Sequence, residues 1–334
     1  MSDNVSTDIL CTRCNTVTQA HQGDMMECCP SCGAYLVFET APRSARELDL
    51  AMGLQIDQNF DPEMAAATRE VLAECHDPEK LMPAVSRFAL QLIPMIQDPK
   101  VDMVRLANHI EKDEALVANI LRVANSAYYQ GRGSITKVSE ALVRLGIKQT
   151  QSVILATISR QMHLIKNDRL GVLGDKLWYH AVAVSFACQE MSNITGDTDP
   201  DEAYAAGLLH DIGRAIVLRA LNELLIARKV KLGDELERKA VTIMDFLHVK
   251  MGERLLGQWG LPEVLTLPAS WHHSAEGPDE HADIVRLIKA MDQLCIVAGF
   301  GSSEHAATDL TQEEIADRYG FTRETFADVR ELLQ

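Results

Sequence analysis

Histidine and aspartate recur through the second half of the chain where ionisable groups are costly to place. His180 lies in the apolar stretch 177–188. His210 and Asp211 are adjacent inside Gly207-Leu208-Leu209-His210-Asp211-Ile212-Gly213. His248 comes four residues before Gly252, His272 and His273 are neighbours, and Asp292 falls within the apolar run 288–294. Neutral imidazole and carboxylate are ligands that suit iron, manganese or zinc. A contiguous His-Asp pair can turn both side chains toward one or two ions if other helices close the cage. With seven such residues a two-metal site is arithmetically open, and such a site would activate water for phosphoester hydrolysis. The weight differs by residue. A lone histidine on an apolar helix is more often a satisfied core group, and His180 taken singly carries that alternative. His210-Asp211 is the stronger signal, because an imidazole and a carboxylate inside an apolar helix both need partners. His281 and His305 lie in polar stretches and read as solvated.

A second constellation sits near the N-terminus. Cys11-Thr12-Arg13-Cys14 is followed, after fourteen residues, by Cys29-Pro30-Ser31-Cys32-Gly33. Each CxxC turn offers two thiolates to one ion, and two turns complete a tetrahedral four-sulfur shell for structural zinc. Gly33 permits the positive φ that a zinc knuckle favours, and Asn15 tolerates it at the matching place. Cys28 is a spare with worse spacing. The segment is too small for a core of its own, so the metal would supply its folding energy. Free cysteines or a redox CxxC pair are the alternatives, and the paired spacing favours zinc over both.

The elements that must carry these residues are mainly helical. Asp61-Pro62-Glu63 and Asp199-Pro200-Asp201-Glu202 each place a capping Asp before a Pro at the first helical position, with acids in the first turn. Between them, 113–127 puts Leu116, Ile120, Val123 and Ala124 on one face, and the helix 139–145 ends at Gly146. No strand pattern is evident after residue 60. The 334 residues are 47% apolar, so a large core is available, and the net charge of -16 opposes nonspecific binding to nucleic acid or to an anionic membrane. The longest apolar runs, such as 152–158 and 182–188, are far short of a membrane span, and Met1-Ser2-Asp3-Asn4 has no basic or apolar leader pattern. A cytoplasmic location is expected, with the eight cysteines mostly reduced.

Several runs together resemble the HDOD family. Asn119-Ile120-Leu121-Arg122-Val123-Ala124-Asn125-Ser126-Ala127-Tyr128 is similar to its signature, as is the later stretch from Ile135-Thr136-Lys137-Val138 to Arg144-Leu145-Gly146. Leu81-Met82-Pro83 is similar to the family's entry motif. His248-Val249-Lys250-Met251-Gly252, Trp259-Gly260-Leu261-Pro262 and His272-His273 complete the pattern over about residues 75–300. The resemblance implies an all-helical relative of HD phosphohydrolases with a regulatory role. Many members of the family have lost the metal ligands, whereas this sequence keeps a nearly full set. By motif position, His180 corresponds to the first HD ligand, His210 and Asp211 to the HD pair, and Asp292 to the final carboxylate. His248, His272 and His273 correspond to the extra histidines of two-metal HD-GYP relatives. Two departures count against catalysis. Arg214 stands where the HD-GYP group has lysine, keeping the charge but not the geometry. Ser274-Ala275-Glu276-Gly277-Pro278 follows the paired histidines with no Gly-Tyr-Pro.

The expected architecture is therefore an all-α HDOD domain of HD-like fold, preceded by a small β-type zinc ribbon. The ribbon is expected at 1–40, a linker and first helix at 41–74, the HDOD domain at 75–300 and C-terminal helices at 301–334. The expected function is signal transduction through a protein partner or a small-molecule or nucleotide ligand, with catalysis disfavoured. The alternative is a metal-dependent phosphohydrolase acting on a nucleotide or other phosphoester. Structural zinc is expected at Cys11, Cys14, Cys29 and Cys32. Iron or manganese is expected at His180, His210, Asp211, His248, His272, His273 and Asp292, with Arg214 as a phosphate contact. The run 310–322 has helix-turn-helix spacing, but 310–334 holds three basic residues against six acids, so a packed helix pair is expected there and not DNA binding.

Overall fold

The computed structural model describes residues 6–10, 17–21, 52–98, 100–127, 129, 133–274, 277–301, 311–322 and 329. The chain divides into two compact units, residues 1–73 and 74–334. In the first, strand β1 (Ser6–Leu10) pairs antiparallel with β2 (Val17–His21), with Asp8 opposite Gln19. The short α1 (Ile56–Asn59) and then α2 (Pro62–Glu74) follow. Asp61 caps α2 as its sequence requires, accepting from the Met64 amide at 2.9 Å. Cys11, Cys14, Cys29 and Cys32 lie outside the described residues.

The second unit is all-α among its described residues. It begins with the short helices α3 (Pro78–Leu81), α4 (Ala84–Leu90) and α5 (Ile93–Gln97), then α6 (Met103–Ile110) and α7 (Glu114–Ala124). Asp102 and Asp113 cap α6 and α7. On α7, Leu116, Ile120 and Ala124 are buried, whereas Val123, expected on the same face, is half-buried. Asn125 then clamps the exit of α7. Its side chain donates to the Ile135 carbonyl and accepts from the Ile135 amide, both at 2.8 Å. The family-like run around Asn125 is thus a structural clasp.

The long α8 (Val138–His163) follows. Gly146 breaks its helical geometry at φ 75°, but the expected stop is a kink, and helix resumes at once. Then come α9 (Asp168–Thr195), α10 (Pro200–Leu209), α11 (Ile212–Ile226), α12 (Leu236–Gln258), α13 (Glu263–Trp271) and α14 (Ala282–Cys295). A π-helical turn covers Ile296–Phe300, and α15 (Gln312–Tyr319) opens with a Thr311–Glu314 capping box. α9 packs against α10 and α14, α11 against α12, and α13 against α10 and α12. Asn167 caps α9, and Asp199 caps α10 with Pro200 at its first position. α15 packs on α14, and the remainder of the expected C-terminal helix pair, 323–328, lies outside the described residues. Arg219 on α11 ties the front of the unit to the bundle. It donates to the Leu81 carbonyl at 2.6 Å and to the Leu164 carbonyl at 3.1 Å.

Candidate metal centre

The seven ligand candidates come from three helices and two corners. His180 is on α9, His210 ends α10, Asp211 starts α11, His248 is on α12, His272 and His273 follow α13, and Asp292 is on α14. The fold brings them together in two groups. His180, His210 and Asp292 form one, and Asp211, His248, His272 and His273 the other, with ligand atoms within 4.8 Å of one another in each. Asp211 faces both groups. Its Oδ2 lies 3.8 Å from His180 Nε2 and 3.7 Å from His210 Nε2. Its Oδ1 lies 3.5 Å from His248 Nε2 and 3.4 Å from His272 Nε2. Asp292 Oδ1 lies 3.1 Å from His180 Nε2 and 3.9 Å from His210 Nε2.

Local chemistry fixes how each ring presents itself. His180 Nδ1 bonds the Phe300 carbonyl at 2.8 Å, His210 Nδ1 the Gly207 carbonyl at 2.7 Å, and His272 Nδ1 the Pro268 carbonyl at 3.0 Å. His248 Nδ1 is shared between the carbonyls of Met244 and Asp245 at 3.0 and 2.9 Å. A carbonyl can only accept, so each Nδ1 carries the hydrogen, and in the neutral ring Nε2 is left with its lone pair facing the carboxylates. The Nε2 atoms of His210, His248 and His272 and Oδ1 of Asp211 are buried and have no hydrogen-bond partner. Orphaned buried polar atoms are costly and rare, and four of them converge here. Donors sharing one ion at bonds of about 2.1 Å sit about 3.0–4.2 Å apart, which is the spacing found. The residues therefore fit a metal centre by donor chemistry and by spacing.

Electrostatics prepare the same forms. Burial pushes the His210 imidazole down to about 4. Burial and the Arg214 charge push His248 well below its ordinary value. Burial alone would raise Asp211, but Arg214 and His210 outweigh it and hold the carboxyl well below the usual range. Asp292 is likewise opposed by burial and held low by its hydrogen bond with His180. The site thus favours neutral imidazoles at His210 and His248 beside ionised carboxylates, which are the ligating forms. His180 differs: burial lowers it, but the bond to Asp292 prevails and raises it.

Arg214, expected as a phosphate contact, is instead committed to protein carboxylates. Its Nε donates to Asp211 Oδ2 at 2.7 Å, and its other arm meets Asp245. It therefore braces the ligand Asp211. Asp245 and the Phe300 carbonyl are site residues that sequence reasoning missed. Asp245 had one available signal, its position one turn before His248 on the same helix. Phe300 had none, since it enters from a π-helical turn 120 residues from His180. Gly213 explains how α11 and α12 come close enough. A Cβ there would lie 1.9 Å from the His248 carbonyl oxygen and 2.6 Å from the Gly252 amide nitrogen, so a glycine is required.

Fold and site together define a chain whose second unit is a helical bundle with a buried His–Asp cluster at its heart. The chain belongs to the HDOD family: the HDOD domain profile matches residues 82–275, more than half of the chain. An uncharacterized protein from Treponema pallidum is 26% identical over 236 residues, which are 68% of this chain and 44% of that protein. The chain thus spans less than half the length of this relative. Three solved structures share the fold. An HDOD domain protein of unknown function from Geobacter sulfurreducens is 21% identical with a TM-score of 0.53, covering 75% of this chain and 92% of its own. A candidate metal-dependent phosphohydrolase from Shewanella amazonensis is 18% identical with a TM-score of 0.57, covering 77% and 96%. A candidate signal transduction protein from Marinobacter aquaeolei is 19% identical with a TM-score of 0.55, covering 84% and 65%. No helix among the described residues is long and apolar enough to cross a membrane.

Proposed function

We propose that this chain is a signal-transduction module of the HDOD family that holds metal at an HD-type centre and acts through protein or ligand contact. The observation that carries this reading is the burial of six of the seven ligand candidates, His273 being exposed. Asp211 is 5% exposed, Asp292 6%, and His180, His210, His248 and His272 between 1 and 4%. Such a centre can hold ions and stiffen six segments of the bundle while giving a phosphoester little room to approach. Arg214 supports the same reading, because both of its arms are engaged by carboxylates. The missing lysine and Gly-Tyr-Pro remove the elements that HD-GYP relatives place around a cyclic dinucleotide. The solved fold relatives bear names of both kinds, signalling and hydrolytic.

His180, His210, Asp211 and Asp292 would hold one ion, with Asp211, His248, His272 and His273 facing a second. Iron or manganese suits this donor set. A bound ion would supply Lewis acidity toward a phosphoryl oxygen. The chain's own residues orient it: backbone carbonyls fix the four rings, and Arg214 holds Asp211. The N-terminal CxxC pairs are read as a zinc ribbon, a reading supported by the β-hairpin that brackets Cys11 and Cys14. That reading implies a reducing, cytoplasmic setting.

The second reading, a metal-dependent phosphohydrolase, is favoured by one feature, the two ligand groups that share Asp211. The two readings part in a turnover assay. With manganese or iron supplied, the protein is expected to show no multiple turnover of cyclic dinucleotides or of an activated phosphodiester. Sustained hydrolysis lost in a His210→Ala, Asp211→Ala double variant would establish the enzyme instead.

A further inference from the structure

The helix that buries His180 also turns an apolar stripe outward. Val172 is 59% exposed, Tyr179 65%, Phe186 49% and Ile194 44%, and Val182 between them is half-buried. Isolated exposed apolar residues are ordinary, but a stripe along one helix face is not. From Val172 to Phe186 the steps are seven, three and four residues, the repeat with which one helix packs lengthwise on another. Over the 28 residues of α9 the face runs about 42 Å.

The order of residues along this face says what covers it. Position 183 lies midway between Val172 and Ile194. It also lies midway between Lys176 and Glu190, and between Arg169 and Asp197 just beyond the helix. Tyr179 and Phe186 are centred half a residue away, and Val182 lies one residue from the centre. Rotate a second copy by half a turn about an axis through this point, and its α9 lies antiparallel on the first. Val172 then meets Ile194 of the other copy, Tyr179 meets Phe186, Lys176 meets Glu190 and Arg169 meets Asp197. Each apolar group finds an apolar group and each cation an anion, twice over. A two-fold interface needs this self-complementarity, and a face built for an unrelated partner has no reason to be symmetric in sequence. Arg169 already lies 3.7 Å from Glu237 of its own chain, so its charge would be shared between the two acids. Asp175, on the same face, is engaged by Arg160 at 2.9 Å and adds no unpaired repulsion.

We propose that the outward face of α9 is a self-association surface on which a second copy of this chain docks antiparallel about residue 183. The local pairing must act against the net charge of -16 on each copy, which repels a second copy at long range. The complementary charges therefore set the register, and the apolar stripe supplies the adhesion. Because His180 is buried on the same helix, the surface is anchored to the bundle core.

The test is the mass of the full chain in solution, by sedimentation at tens of micromolar with a thiol reductant present. The intact chain should run at twice its 37.0 kDa mass. Tyr179→Lys should run as a monomer with unchanged helical circular dichroism and melting temperature, since its side chain is exposed. Lys176→Glu should weaken the dimer at least tenfold, and adding Glu190→Lys should restore it, because the reversed charges meet again only in the antiparallel register. An intact chain that stays monomeric, its stripe covered from within or by another protein, would overturn the proposal. So would a dimer indifferent to Tyr179→Lys, or a double reversal no better than the single one.

Discussion

Replacing Arg214 by methionine isolates the charge balance at the centre. Arg214 and Asp211 are both nearly buried and meet at 2.7 Å. Asp245, the other partner of Arg214, has a side chain 43% exposed and can return to water at little cost. The penalty of Arg214→Met therefore falls on Asp211, a buried carboxylate left without its cation. Removing one partner of a buried ion pair costs about 3–5 kcal/mol. That range applies to protein stripped of metal by a chelator, measured as the loss of stability in guanidinium denaturation. An ion at the centre would return a positive charge to Asp211, so saturating metal should shrink the penalty markedly. It should also stabilise the parent, by about 2.7 kcal/mol at a hundredfold excess over the dissociation constant. Two results would refute the reasoning. A metal-free penalty below about 1 kcal/mol would mean that Asp211 is not a buried anion held by Arg214. A penalty of the same size with and without metal would mean that no ion shares Asp211.

Two further outcomes follow from the same geometry and a third from the cysteine spacing. Gly213→Ala drives a Cβ into the His248 carbonyl at 1.9 Å, and neither backbone can yield. It should cost at least about 1–3 kcal/mol and lower metal content with it, and an unchanged melting temperature would contradict the close approach. His163 is fully buried beside Trp178, and burial holds its imidazole down to about 4 from an ordinary 6.5. The unfolded chain thus binds its proton first, so His163 costs nothing above pH 6.5, and stability is lost as pH falls from there toward 4, by up to about 3 kcal/mol. His163→Leu should flatten that part of the stability-versus-pH curve, and an equally steep curve in the variant would assign the loss elsewhere. Cys29→Ser should remove one zinc per chain and leave the helical unit's melting unchanged, whereas equal zinc in variant and parent would exclude the ribbon.

What could be read from the sequence was what local chemistry decides. Asp61 and Asp199 cap the helices that their neighbours announced, because a cap is made by a side chain two or three residues from its donors. Gly146 was legible as a break but not as a kink, since whether helix resumes depends on the packing of α8 against α4 and α7. Val123 fell on the expected face but at its rim. The seven ligand candidates were visible as residue types, and motif resemblance, more than spacing, grouped them. Their partners were not legible. The Phe300 carbonyl on His180, the engagement of Arg214 by Asp245 and the contact of Gly213 with the His248 carbonyl join segments that meet only after the bundle closes. Arg214 shows the difference most clearly: the sequence gives a cation three residues after Asp211, and only packing turns it inward.

The central claim, that the His–Asp cluster holds metal, is tested most directly by elemental analysis of protein purified without added metal. The intact chain and the His210→Ala, Asp211→Ala double variant should be compared, with zinc counted apart from iron and manganese. The account predicts iron or manganese in the intact chain beside the ribbon's zinc, and loss of that iron or manganese alone in the double variant. An intact chain with no metal beyond the zinc that Cys29→Ser removes, or a double variant with unchanged iron and manganese, would contradict it.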